Sequence, residues 1–178
     1  MSTAEEQLVT IDWNNTKADF PSDKCVHHLF EEQVSRTPDA VAVVFEDEEV
    51  TYVELNRRAN GVAAKLQSLG VGPNVLVGLL VERSVEMVVG IMGVLKAGGA
   101  YVPIDPEYPQ SRIDLYLEDS GALALVTQKS LLSSVAFNRD QVVLMDHFKH
   151  SDGVVYPQVR SASTPADTCY VIYTSGST

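Results

Sequence analysis

The chain is organised around the stretch Cys169-Tyr-Val-Ile-Tyr-Thr-Ser-Gly-Ser-Thr178. Its apolar half, Cys169 to Tyr173, predicts a buried strand, and four hydroxyl side chains around one glycine follow directly. Ligands of open α/β sheets bind beyond the carboxyl ends of the strands. Backbone N–H groups and hydroxyls in such a loop suit a phosphate, and glycine allows close approach. The stretch therefore predicts a phosphate-binding loop, although a pentapeptide of this composition is, taken alone, more often an ordinary loop.

Upstream of this stretch, strand-like and helix-like segments alternate. In the segment Val53 to Leu69, apolar residues recur at spacings of four, three, four and three, which indicates an amphipathic helix. Thr51 is its expected N-cap, with Glu54 completing a capping box. Val75 to Val81 is continuously apolar, as strands of a parallel sheet are. This alternation predicts an α/β fold with a layered, largely parallel sheet flanked by helices.

The remaining elements follow from the same patterns. Helices are predicted at 26–36, 85–95, from 109 to 120 and briefly at 130–136; strands are predicted at 41–45, 50–52, 122–127 and 141–145. Residues 1–24 are polar and turn-rich and predict an extended connector, with residues 25–178 forming the domain. Trp13 is interpreted as covering a core edge, with a docking anchor as the alternative. Residues 147–167 predict a surface loop.

The composition of the chain argues against some classes of binding partner. The formal net charge of −11 argues against nucleic acid and anionic membranes, which both require a basic surface. The longest apolar region, Val75 to Ile104, is interrupted by charges and glycines, so it does not predict a membrane span. No secretory signal is visible, and Cys25 and Cys169 are expected to be reduced thiols in a cytoplasmic protein.

Several common catalytic patterns are absent from the sequence. The loop lacks the lysine and glycine spacing of Walker-type phosphate loops, and neither a Gly-x-Gly-x-x-Gly after a strand nor a Gly-x-Ser-x-Gly elbow occurs. Cys25 with His27 and His28, and Asp146 with His147 and His150, lack a second ligand set at a recognised spacing. These groups are interpreted as packing or surface residues, and no metal site is predicted.

Three segments together resemble the amino-acid adenylation domains of nonribosomal peptide synthetases. Val50 to Asn56 resembles their first signature, and Leu95 to Pro106 (LKAGGAYVPIDP) their second. Tyr173 to Thr178 (YTSGST) resembles the start of the third, the phosphate-binding loop. The order and spacing agree over residues 25–178, and Trp13 to Thr16 resembles the connector that follows a condensation domain.

The resemblance implies the N-terminal subdomain of an adenylate-forming enzyme and a reaction in two halves. An amino acid and Mg-ATP give an aminoacyl adenylate and pyrophosphate, and the phosphopantetheine thiol of a peptidyl carrier domain then takes the acyl group. The loop residues are expected to bind ATP: Thr174, Ser175, Ser177 and Thr178 as hydroxyl donors, and Gly176 as the close-approach residue. An upstream condensation domain and a small activator protein are possible further partners.

In the first two signatures, structural roles are favoured over catalytic ones. Lys96 is interpreted as a helix-end residue and Glu54 as a cap, whereas Tyr101, Pro103 and Asp105 are expected to shape a turn that supports the sheet. No catalytic residue is assigned within this chain.

The family's loop continues with Gly-x-Pro-Lys-Gly, so the chain is expected to end within the loop and to be inactive alone. The amino-acid pocket, the Mg²⁺ ligand and a catalytic lysine are expected beyond it. Three origins of this end are considered: a loop that is disordered or cut, which is favoured, a deliberate fragment, and a split gene. Two other functions stay open, a fragment of an acyl-CoA synthetase-type ligase and a non-catalytic scaffold.

Overall fold

A computed structural model describes residues 2–149 and 155–174. The helices are α1 (Thr3–Gln7), α2 (Val26–Arg36), α3 (Tyr52–Ser68), α4 (Val85–Ala97) and α5 (Gln110–Ser120). The strands are β1 (Val41–Phe45), β2 (Glu48–Thr51), β3 (Leu76–Leu80), β4 (Ala100–Ile104), β5 (Ala124–Thr127) and β6 (Val142–Leu144). Short turns of 3-10 helix cover Lys129–Ser134, Arg139–Gln141 and Met145–Phe148.

The main sheet has four parallel strands in the order β4-β3-β5-β6. Leu80, the last residue of β3, aligns with Ile104 on β4 and with Thr127 on β5, so three strands end at the same edge. β1 and β2 form a separate antiparallel hairpin. The predicted class, a largely parallel α/β sheet flanked by helices, is confirmed.

Helices α3 and α4 pack closely over one side of the core. Thr51 caps α3 as predicted, since its hydroxyl accepts a hydrogen bond from the N–H of Glu54. A methyl group added at Gly93 of α4 would lie 2.5 Å from Cγ1 of Val62 of α3. Glycine at this position therefore lets the two helices approach each other.

The expectation of an extended N-terminal connector is wrong for its first half. α1 is followed by a π-helical turn at Leu8–Asp12, and Ser2 and Glu5 form a reciprocal capping box that starts the helix. Both helical pieces are exposed to solvent along their length. Trp13 does not cover a core edge, because 66% of it is exposed. The proposed domain boundary at residue 25 stays a prediction.

The segment after β6 is more than a surface loop. Tyr156 packs on Phe148, which belongs to the main core. Further along, the Gln67 side chain of α3 donates a hydrogen bond to the carbonyl of Arg160. Within the described ranges, no helix combines the length and apolar character that crossing a membrane requires.

Candidate functional site at the carboxyl edge of the sheet

The segment that leads to the predicted loop lies beside β4. Tyr170 pairs in parallel with Tyr101: the Tyr101 N–H donates to the carbonyl of Cys169 at 3.2 Å, and the Val171 N–H donates to the carbonyl of Tyr101 at 3.0 Å. Because the segment runs parallel to β4, Thr174 leaves on the side where the strands end. This is the edge at which open α/β sheets bind ligands.

The prediction of a buried strand at Cys169–Tyr173 is wrong. In the part of this segment that the structure describes, a bridge to β4 forms at Tyr170, which is 52% exposed, and Ile172 is 55% exposed. Tyr101 directs both of its backbone groups at this segment, and backbone groups two residues further along a strand face the same side. Pro103 therefore stands where the next N–H donor is needed, and proline has none. The pairing stops for that reason.

Side chains hold the segment where backbone pairing ends. The Tyr173 hydroxyl donates a 2.6 Å hydrogen bond to the carboxylate of Asp119 on α5. The Tyr173 ring stacks on Tyr116 of the same helix, with 4.2 Å between centroids and 12° between planes. Partial burial, the hydrogen bond and the charge of Asp119 raise the pKa of Tyr173 to about 12.

A cleft of about 970 Å³ opens at this edge. Its lining is largely apolar and also includes charged and tyrosine side chains: Glu82, Arg83, Asp105, Glu107, Tyr108, Tyr116 and Tyr173. Glu82 and Arg83 were not predicted as site residues, although charges directly after a buried strand are a usable signal. A second cavity of about 500 Å³ lies near Phe20 and Cys25, where its mostly apolar lining offers few groups for phosphate.

Of the five predicted loop residues, Thr174 is described and is exposed beyond Tyr173. Ser175, Gly176, Ser177 and Thr178 lie outside the described residues. Their assignment to phosphate stays a prediction. Asp119 and Tyr116, which hold Tyr173, were missed because nothing local in α5 indicates a partner 54 residues later.

Lys96 is more than a helix-end residue, which corrects its interpretation from sequence. Its side chain is fully buried, forms an ion pair with Glu31 of α2 and donates a 3.0 Å hydrogen bond to Oδ1 of Asn56 on α3. Burial lowers the pKa of Lys96, while the ion pair with Glu31 opposes that change. Since Asn56 and Lys96 lie in the first and second signatures, this contact joins the two segments.

The second signature forms a strand and a turn. Tyr101 and Pro103 belong to β4, so the expectation that they shape a turn is wrong for both. Asp105 does shape one: its carbonyl accepts from the N–H of Tyr108, and its Oδ1 accepts from the N–H of Glu107. This turn carries Tyr108 into the cleft beside Tyr116.

Cys25, His27 and His28 bring their ligand-type atoms within 4.8 Å of one another. However, Nδ1 of His28 accepts the N–H of Cys25, which caps the start of α2. The positive end of the helix and the nearby ammonium of Lys96 both disfavour a cation here. The arrangement fits a helix cap better than a metal site, and the absence of a metal stays a prediction.

The parallel sheet, with Thr174 at the edge where its strands end, has the arrangement of α/β proteins that bind ligands at that edge. A profile of the AMP-binding enzyme family matches residues 30–178. The chain belongs to this family.

Individual similar proteins show which members of the family this chain resembles. Gramicidin S synthase 2 of Brevibacillus brevis is 47% identical over all of this chain, which spans 4% of that protein. A crystal structure of the nonribosomal peptide synthetase FmoA3 in an AMPPNP-bound form is 34% identical, with a TM-score of 0.82 over 92% of this chain and 18% of that one. The Klebsiella oxytoca NpsA N-terminal subdomain is 28% identical, with a TM-score of 0.71 over 88% of this chain and 40% of that one. The resemblance to peptide synthetases is confirmed.

Proposed function

We propose that this chain is part of an amino-acid adenylation domain and that residues 174–178 bind the phosphates of ATP. The supporting observation is the position of Thr174, which leaves the carboxyl edge of the sheet directly after the anchored Tyr173. The similarity to a peptide synthetase that binds AMPPNP agrees with a triphosphate ligand.

In this reaction, a carboxylate oxygen of the amino acid attacks the α-phosphorus of ATP. The bond from that phosphorus to the bridging oxygen breaks, which gives an aminoacyl adenylate and pyrophosphate. Hydroxyl and backbone donors of the loop would stabilise the negative charge on the departing phosphates. A thiol then attacks the acyl carbon, its proton is lost, and AMP leaves.

Mg²⁺ would neutralise phosphate charge in this chemistry. Two carboxylates near this edge already have partners, because Asp105 holds its own turn and Asp119 accepts the Tyr173 hydroxyl. We assign no Mg²⁺ ligand in this chain and expect the ligands elsewhere in the domain. We also propose the amino acid, the rest of the domain and a phosphopantetheine-bearing carrier domain as partners. An upstream condensation domain and a small activator protein are further candidates.

Amino-acid-dependent ATP–pyrophosphate exchange tests the proposal. We expect no exchange from this chain alone and activity when it is joined to the rest of the domain. Exchange driven by fatty or aryl acids would favour an acyl ligase, and no exchange with any acid would leave a scaffold.

Variants of the complete domain test the loop itself. Thr174→Ala and Ser177→Ala should each slow adenylate formation by about tenfold or more, because each removes one donor to phosphate. Thr168→Ala is the matched control, since it removes an exposed hydroxyl from the same segment. Unchanged rates in both loop variants would contradict the phosphate role.

A further inference from the structure

Aromatic rings connect the turn of the second signature to the start of the third. Tyr173 stacks on Tyr116, and Tyr116 meets Tyr108 edge to face at 6.0 Å and 90°. The guanidinium group of Arg112 lies over the Tyr108 ring at 5.1 Å from its centroid. Such contacts fix ring orientation as well as distance. Tyr173 is therefore held at the end of an ordered series of side chains.

The contact with Asp119 fixes Tyr173 at a second point. A hydroxyl that donates to a carboxylate forms a charge-assisted hydrogen bond, which is stronger than one between neutral groups. Since the pKa of Tyr173 is raised to about 12, its hydroxyl keeps this proton throughout the neutral range. The stacked ring and the hydrogen-bonded hydroxyl together determine both the position and the rotation of the side chain.

The contacts of Tyr173 with Tyr116 and Asp119 lie beyond the last backbone hydrogen bond to β4. Pairing with β4 ends at Tyr170 because Pro103 offers no N–H. Tyr173 is three residues further along and precedes Thr174 directly. The contacts to α5 therefore bear directly on the backbone at the entrance to the loop.

We propose that Tyr173 is a positioning residue, held by Asp119 and Tyr116, that sets where the phosphate-binding loop begins. In this role Tyr173 acts through Thr174, which follows it directly. This inference rests on the proposed function. It gives α5, which lies outside the loop motif, a role in nucleotide binding.

The experiment uses the complete domain and steady-state exchange kinetics. Tyr173→Phe keeps the stacked ring and removes the hydroxyl, and Asp119→Ala removes the acceptor. Each should raise KM for Mg-ATP by about fivefold to tenfold, the size expected for one charge-assisted bond at a solvent-accessible site. The KM for the amino acid should not change. The double variant should match either single one, because both changes break the same contact.

Two exposed residues provide matched controls. Tyr170→Phe removes a hydroxyl from the same segment, and Glu118→Ala removes a carboxylate from the same helix. Both should behave like the parent protein. A purely structural role would lower the active fraction, and so lower kcat while leaving both KM values unchanged.

The outcomes separate this inference from the proposed function. If the parent domain exchanges pyrophosphate but Tyr173→Phe and Asp119→Ala match their controls, the positioning role is wrong and the proposed function stands. A loss of kcat at constant KM would also overturn the positioning role. If the parent domain activates no acid, the proposed function itself has failed.

Discussion

The ammonium group of Lys96 on α4 is buried against the carboxylate of Glu31 on α2, 65 residues earlier in the chain. Asn56 of α3 accepts a second hydrogen bond from the same ammonium group. Three helices are therefore joined at one buried charge. Removing one partner of such a pair leaves the other charge uncompensated, and that cost exceeds the net contribution of the intact pair.

Replacing Lys96 with methionine should therefore be strongly destabilising. Lys96→Met keeps the length of the side chain but leaves Glu31 without its buried partner, and we expect the free energy of unfolding to fall by about 3 kcal/mol. Urea denaturation followed by circular dichroism measures the change. The double variant Lys96→Met/Glu31→Gln should recover part of the loss, because no carboxylate is then left without a partner.

Lys65→Met serves as the control for that experiment. Lys65 lies on the exposed face of α3, and its replacement should change the free energy of unfolding by less than about 0.5 kcal/mol. If Lys96→Met is as mild as Lys65→Met, the buried ion pair does not contribute as described.

A second prediction concerns the contact between α3 and α4. Gly93→Ala should lower the free energy of unfolding by about 1–3 kcal/mol, because the new methyl group would overlap the Val62 side chain. Gly72→Ala is the matched control, since a methyl group there meets nothing within 4 Å. Equal stability of the two variants, measured by urea denaturation, would show that the helices can separate at little cost.

A third prediction concerns pH. Burial, the charge of His28 and the ammonium of Lys96 lower the pKa of His27 to about 4, while Glu31 opposes the change. Unfolded His27 binds a proton below about pH 6.5, whereas the folded protein does so only near pH 4. The free energy of unfolding therefore falls as the pH drops between these values, and His27 accounts for up to about 3 kcal/mol of this loss.

The variant His27→Gln removes this titration. Its unfolding free energy should depend less on pH than that of the parent protein between about pH 6.5 and pH 4. His147→Gln, at an exposed position, should leave the parent slope in place. A parallel loss of stability in the parent and His27→Gln proteins would contradict the assignment to His27.

A fourth prediction tests why pairing stops at Tyr170. Pro103→Val supplies an N–H on the side of β4 that faces residues 169–171. This new amide should form a hydrogen bond to that segment and exchange slowly. Pro106→Val adds an amide in the following turn and should exchange rapidly. Rapid exchange at both positions, measured by NMR, would mean that Pro103 does not limit the strand.

Local patterns in the sequence were sufficient for most elements. α2 spans Val26–Arg36 as predicted, because Thr37-Pro38 disfavours a continued helix. α5 ends at Gly121, whose φ of 61° lies in the left-handed region that favours glycine. In both cases the signal lies within a few residues of the element it determines.

The remaining features depend on residues that are distant in sequence. A lysine in the last turn of a helix predicts a contact with the helix dipole. The structure shows instead that the partners of the buried Lys96 side chain lie on two other helices. The apolar residues 169–173 predict a strand, but its length is limited by a proline in β4. The direction in which residues 169–173 lead to Thr174 could be expected from their apolar pattern, whereas the contacts of Tyr173 with α5 required the structure.

The Glu31–Lys96–Asn56 contact also limits where two related chains can be joined to make a hybrid protein. A crossover between α2 and α3 would combine the acid of one parent with the lysine and amide of another. If the first parent lacks that acid, the hybrid would carry an isolated ammonium in its interior. Crossovers placed before Val26 keep all three groups from one parent and avoid this failure.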